Sequence, residues 1–268
     1  MEYKSTAQIT TAKDFHWKVL IIGPPGVGKT SWAATAPKVS IAACETGEGS
    51  GTLSISHVAG VGFAEPKSFM DFRSICYDTY EPFRASETIA LDSLSYMCKS
   101  FIKDHVLTSF PAKNPKEALR RQAGVPSGFD YAEIAEVTRG LTAKLIGLPK
   151  HIIVTALAKF EKDDNGVVTG ILPDLPGQLA LGAPAMFDTV LYLKSRRVLI
   201  DPRDPKSAIM QRYFVTSNDG VHLAKDRNNI NGKSFLAPEE IFDKDTGKGS
   251  FPDLLAKILA GHAAHANS

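Results

Sequence analysis

Residues 23–30, Gly23-Pro24-Pro25-Gly26-Val27-Gly28-Lys29-Thr30, fit the pattern G-x-x-x-x-G-K-[ST], and their flanks constrain the fold more than any other feature of the chain. Before them lies WKVLII (17–22), a branched apolar run that reads as a strand buried on both faces. After them a helix is predicted from Lys29 to about Ala36. In a strand, glycine-rich turn and helix, successive backbone N–H groups can turn inward around phosphate oxygens, backed by the positive end of the helix dipole. Gly23, Pro24, Pro25, Gly26, Val27, Gly28, Lys29, Thr30 and Ser31 would then form a nucleotide cradle, with the Lys29 ammonium on the outer phosphates and the Thr30 hydroxyl offered to Mg²⁺. The bland alternative is a plain strand-to-helix turn.

The same order recurs downstream. Residues 39–43 read as a strand ending before the glycine-rich stretch 47–51, and Phe69, Phe72 and Ile75 give 66–77 helical spacing. A third strand at 88–91 leads into a helix at 93–107, a helix is predicted over 131–148, and HIIVTA (151–156) is a fourth strand. Residues 108–129 read as a mobile excursion with a short helix around 116–122. Asn165-Gly166 marks a hairpin within 160–171, strands follow at 187–193, 197–200 and 212–216, and a closing helix at 251–260 docks on the body or on a neighbour. The expected class is α/β: a mostly parallel twisted sheet flanked by helices, with antiparallel strands added toward the C-terminus and ligands at the strand C-terminal edge. The expected division is an extension at 1–16, a core at 17–245 and a helix and tail at 246–268.

Composition removes other classes. The 268 residues are 43% hydrophobic and 22% charged, which argues against disorder. The net charge of +2 does not announce a nucleic-acid binder, so such a surface must be local. Residues 1–14 are polar and no apolar run is long enough for a span, so neither leader nor membrane segment is expected and the chain is placed in the cytoplasm. Cys44, Cys76 and Cys98 are too widely spaced for a disulfide framework or a CxxC site, and a reducing compartment is the default. The seven histidines lack zinc-ligand spacing, with His262 and His265 expected in a disordered tail.

Candidate site residues lie at strand ends. Asp92 closes the strand TIALD as a second Mg²⁺ contact or, alternatively, as a cap of the next helix. Ser93 follows it, so a general base must come from elsewhere. Glu45, past the strand at 39–43, is either that base, if its strand lies near the first one, or a solvated loop acid. Thr155 is either a γ-phosphate sensor or an ordinary β-branched strand residue. Lys225 and Arg227, two apart on a strand, share a face suited to phosphate or form an exposed charged edge. Three basic clusters could meet single-stranded DNA or be solvated faces: Lys113, Lys116, Arg120 and Arg121; Lys159, Phe160 and Lys162; and Lys194, Arg196, Arg197, Arg203, Lys206 and Arg212.

With these residues the chain resembles the compact RecA-like P-loop ATPases of bacteriophages, relatives of recombinases associated with single-strand annealing. The carriers are residues 23–30, Cys44-Glu45-Thr46-Gly47, Leu91-Asp92-Ser93-Leu94, HIIVTA, Phe187-Asp188-Thr189-Val190 and Lys225-Asp226-Arg227. The resemblance implies a RecA-like P-loop NTPase fold and Mg²⁺-dependent ATP hydrolysis with Glu45 as base. It also implies a homo-oligomer, ring or filament, in which Lys225 and Arg227 reach a neighbour's nucleotide, and action on single-stranded DNA in recombination, annealing or replication. No membrane role is implied. With about 16 residues before the first strand, a separate DNA-binding domain is not expected there. Two rivals stand beside this reading. One is a small-molecule or nucleoside kinase with Arg120 and Arg121 as a phosphate lid, and the other is a non-hydrolysing nucleotide-dependent assembly module.

Overall fold

The computed structural model describes residues 15–45, 55, 58–230 and 232–266; the glycine-rich stretch at 47–51 and nearly all of the N-terminal extension lie outside them. The strands are β1 (Lys18–Gly23), β2 (Val39–Ala43), β3 (Gly62–Ala64), β4 (Thr88–Asp92), β5 (His151–Lys162), β6 (Val168–Pro173), β7 (Thr189–Leu199), β8 (Ala208–Val215), β9 (Lys225–Asp226), β10 (Asn229–Ile230), β11 (Lys233–Ser234) and β12 (Glu239–Phe242). The helices are α1 (Lys29–Ala33), α2 (Phe69–Cys76), α3 (Glu81–Arg84), α4 (Leu94–Met97), α5 (Lys103–Ser109), α6 (Pro115–Gln122), α7 (Gly128–Ile146), α8 (Leu179–Gly182) and α9 (Phe251–Ala266), with a π-turn at Cys98–Ile102 joining α4 to α5.

The main sheet runs β12-β8-β7-β1-β5-β4-β2-β3. From β7 to β3 every pairing is parallel, while β8, β12 and β9 join antiparallel, giving the α/β P-loop NTPase architecture the sequence led us to expect. β1 is buried throughout because its alternate side chains feed two cores. Val19 and Ile21 face Trp17, Trp32, Phe214 and Phe251 on one side; Leu20 and Ile22 face Phe72, Leu94, Ile102 and Leu145 on the other.

Two strands outrun the predicted lengths. Gly23 registers with Leu157 and Ile22 with Tyr192, so the later residues of β5 and β7 rise beyond the end of β1. The first forms the expected hairpin with β6, turning at Asp163–Val167. The second pairs with β8 and merges the strands expected at 187–193 and 197–200, because Lys194–Arg197 keep ladder partners while exposing their charges. The start of α1 therefore sits in a notch between two hairpin arms.

Residues 108–129 hold the short helix expected around 116–122 but replace the irregular excursion around it with capped, ion-paired helices. Asn114 caps α6 by accepting from the Glu117 N–H at 2.9 Å, and Pro115 begins it. Ser127 and Asp130 form a capping box that starts α7 at Gly128, earlier than the periodicity indicated. The Arg121 guanidinium, 8% exposed, locks these helices together by bonding Glu117, Asp130 and the Phe110 carbonyl.

The C-terminal helix docks on the body. Trp32 donates its indole N–H to the Gly249 carbonyl at 2.8 Å, the Phe251 N–H donates to Thr35 Oγ1 at 2.9 Å, and Phe251, Leu254 and Ile258 are buried. The division expected at 245/246 thus crosses one continuous core. His262, expected in a disordered tail, is in α9 with its ring 4.9 Å from that of Phe235. Among the described residues no helix is long and apolar enough to cross a membrane.

Candidate active site

At the top of β1 the backbone turns through Gly26 and Gly28, whose φ values of 72° and 104° lie in the left-handed region that a side chain disfavours. Glycine at both positions is what brings α1 back over the strand end. Lys29 opens that helix, and its ammonium donates to the carbonyls of Gly23 and Pro24, each at 2.9 Å. Burial pushes this amine below the ordinary lysine value, and the Asp92 and Glu45 carboxylates pull it part of the way back.

Two hydroxyls converge on Asp92. Thr30 donates to Oδ2 and Thr155 to Oδ1, both at 2.5 Å. The strand order explains the convergence, because β5 lies between β1 and β4 and carries Thr155 in register with Ile21. Thr155 is fully buried and spends its hydroxyl on Asp92, so it acts through that carboxylate instead of facing the cavity. Asp92 is therefore not a helix cap; Ser93 takes that position, accepting from the Tyr96 N–H at 3.4 Å.

Glu45 reaches the same place by a different route from the one expected. β2 is separated from β1 by β4 and β5, but it pairs with β4 so that Ala43 registers with Asp92. Two residues further on, Glu45 Oε1 accepts from the Ser93 hydroxyl at 3.2 Å. A cavity of about 360 Å³ is lined by Pro25, Gly26, Gly28, Lys29, Thr30 and Ser31 and closed by Glu45, Asp92, Leu157 and Arg212. The Thr30 hydroxyl and Asp92 carboxylate are hard oxygen donors held together, a set that fits Mg²⁺ completed by water and phosphate oxygens. Among the described residues no group of His, Cys, Asp and Glu forms a larger metal cage.

Arg212 went unrecognised as a site residue because the sequence showed it only as one cation among several. Its strand pairs with β7, and β7 pairs with β1, a chain of contacts that no local pattern in the sequence encodes. Cys44, at the site's edge, is fully buried, and burial with the nearby Asp92, Cys76 and Glu45 pushes its thiol up, so it offers no thiolate.

Lys225 and Arg227 are elsewhere. Lys225 registers with Val190 and Asp226 with Thr189, near the starts of β7 and β1 and at the opposite sheet edge from the P-loop. The strand ends at Asp226, so the two cations do not share a strand face; Arg227 donates to the Ala185 carbonyl at 2.6 Å. Of the first DNA cluster, Lys113 and Lys116 are exposed, with the Lys113 ammonium 4.0 Å above the ring of Phe129, an exposed aromatic absent from the sequence reading. Arg120 is exposed but donates to the Pro126 carbonyl at 2.9 Å, and Arg121 is withdrawn into its buried ion pairs. Lys159, Phe160 and Lys162 are exposed on the β5 arm. Lys194 and Arg196 lie over the Tyr213 ring, and Arg196 also pairs with Glu239.

A turn of this kind at a strand end, with a lysine and a hydroxyl–carboxylate pair beneath it, defines a P-loop nucleotide-binding protein. The chain belongs to the AAA domain family, whose model matches residues 16–228, and with that family comes a nucleotide-binding ATPase. No curated protein sequence matches the chain. Among solved structures, it is similar to the flagellar accessory protein FlaH from Methanocaldococcus jannaschii at 12% identity, with 85% of each chain covered and a TM-score of 0.42.

Proposed function

We propose that the protein hydrolyses Mg²⁺-ATP and works on single-stranded DNA in phage-type recombination, annealing or replication. The observation that carries the hydrolytic part is the set of groups on one cavity: Lys29 and the amide cradle, the Thr30–Asp92 pair, and Glu45 held by Ser93. Bound there, Mg²⁺ would be held by Thr30 and Asp92 and would neutralise charge on the phosphates. Glu45 accepts a proton from water as its oxygen bonds to the γ-phosphorus and the bond to the β-phosphate oxygen breaks. Lys29 supplies a fixed positive charge to the oxygens on which negative charge develops. Thr155 positions Asp92 from below.

The DNA part is supported by the resemblance and by exposed groups. Lys113, Lys116 and Phe129 on one projection, and Lys159, Phe160 and Lys162 on the β5 arm, pair cations with aromatic faces, as single strands require. Homo-oligomerisation is part of the same proposal. Lys225 and Arg227 lie far from their own P-loop, so any nucleotide they touch belongs to a neighbour. Of the two arginines of the kinase alternative's phosphate lid, Arg121 is committed to Glu117 and Asp130, which leaves Arg120 alone exposed.

ATP turnover measured with and without single-stranded DNA tests the reading. Turnover that rises with DNA supports it. DNA-independent phosphoryl transfer to a small acceptor favours the kinase, and nucleotide binding without turnover favours the assembly module.

A further inference from the structure

We propose that Arg212 binds the nucleotide within its own subunit, on the nucleoside side of the phosphate chain. The inference rests on the P-loop reading above and adds a residue and a direction to it. The Arg212 backbone is fixed in mid-sheet, opposite Ser195 of β7 and Phe242 of β12. Its side chain lies over the P-loop: a Cβ built on Gly28 would come within 3.3 Å of both Cζ and Nε. Neighbouring cations have partners, Lys194 over Tyr213 and Arg196 with Gln211 and Glu239, whereas among the described residues no carboxylate or carbonyl takes the Arg212 guanidinium. A half-buried guanidinium without a partner beside a cradle of backbone N–H groups calls for an anion, and its planar fork matches two phosphate oxygens.

The sheet order gives the direction. Asp92 and Glu45 come to the P-loop from β4 and β2 on one side of β1, and Arg212 comes from β8 on the other. Glu45 and the Thr30–Asp92 pair mark the end where the γ-phosphate reacts, so Arg212 faces the α-phosphate and nucleoside. A second cavity of about 370 Å³ shares Arg212 as a wall and continues along Met210, Gln211 and Ile241, leaving room for a base on that side.

Calorimetric titration of Mg²⁺-ATP and Mg²⁺-ADP into the wild type, Arg212→Ala, Arg212→Lys and Lys29→Ala tests this, with thermal melts confirming that each variant folds. Arg212→Ala should weaken both nucleotides by a similar factor of ten or more, and Arg212→Lys should recover part of the loss. Lys29→Ala should penalise ATP more than ADP. Affinity of Arg212→Ala within twofold of wild type for both nucleotides would overturn the proposal. So would a loss confined to ATP, which would put the arginine at the γ-phosphate. Recovery of turnover when Arg212→Ala and Glu45→Gln subunits are mixed would place Arg212 in a neighbour's site and also overturn it. A wild type that binds neither nucleotide would remove the P-loop reading itself, a result distinct from failure of Arg212 alone.

Discussion

The Thr30 hydroxyl donates to Asp92 at 2.5 Å although β1 and β4, which set their positions, are not neighbours in the sheet. Thr155 fills the gap between them from β5 and takes the other carboxylate oxygen at 2.5 Å. One carboxylate thereby ties its strand to the P-loop through Thr30 and to β5 through Thr155.

Removing half of that tie should be measurable. Thr155→Val keeps the buried shape but leaves Asp92 Oδ1 without its donor, and a hydrogen bond to a charged group is worth about 1.5–3 kcal/mol. Chemical denaturation should show a loss of that order, and ATP turnover should fall with it. Asp92→Asn should instead shift the Mg²⁺ dependence of turnover tenfold or more to higher concentration. An unchanged metal titration would contradict the role given to Asp92.

Glu45→Gln retains the acceptor for the Ser93 hydroxyl and removes the proposed base. Turnover should fall by about 10²–10⁴ while ATP affinity is kept. A loss below tenfold would mean that another group orients the water.

Arg121→Ala should destabilise the fold by about 3–5 kcal/mol, because Glu117 and Asp130 are left buried without their cation. Burial alone would push the Asp130 carboxyl up, but the Ser127 N–H and the Arg121 guanidinium outweigh it and hold the carboxyl below its ordinary value of 3.8. A depressed folded-state pKa stabilises the native state above the unfolded pKa, and this stability is lost as pH falls through the folded one. The acid limb of a stability–pH curve should therefore be steeper for wild type than for Arg121→Ala. Equal limbs and a cost under 1 kcal/mol would return Arg121 to the surface, where the sequence reading had placed it.

Phe251→Ala should cost about 3–5 kcal/mol, since the ring is fully buried against Trp17 and Trp32. A single cooperative unfolding transition, shifted as a whole, is expected when α9 belongs to the main core. A separate early transition would make it an appended unit.

What could be read from sequence was what local chemistry encodes. The P-loop sits where a strand, two left-handed glycines and a helix must follow in order, and Asp92 sits at the end of an apolar strand, so both were legible. Glu45 lines the cavity by a route the sequence did not disclose, through β4 and Ser93 instead of through adjacency to β1. Arg121 looked like a surface cation because its partner Asp130 is nine residues away on another helix. Arg212 depends on two successive strand pairings. Long-range pairing decides burial and reach for such residues, and a local pattern does not carry it.

A calorimetric titration of Mg²⁺-ATP into wild type and Lys29→Ala tests whether the cavity around Lys29 is the nucleotide site. The ammonium is buried on the loop carbonyls in place of solvent, so its removal takes the nearest fixed charge from the phosphates. Saturable binding in the wild type and loss of most or all of it in Lys29→Ala is the predicted result; equal affinity and equal turnover in the two proteins would contradict the account.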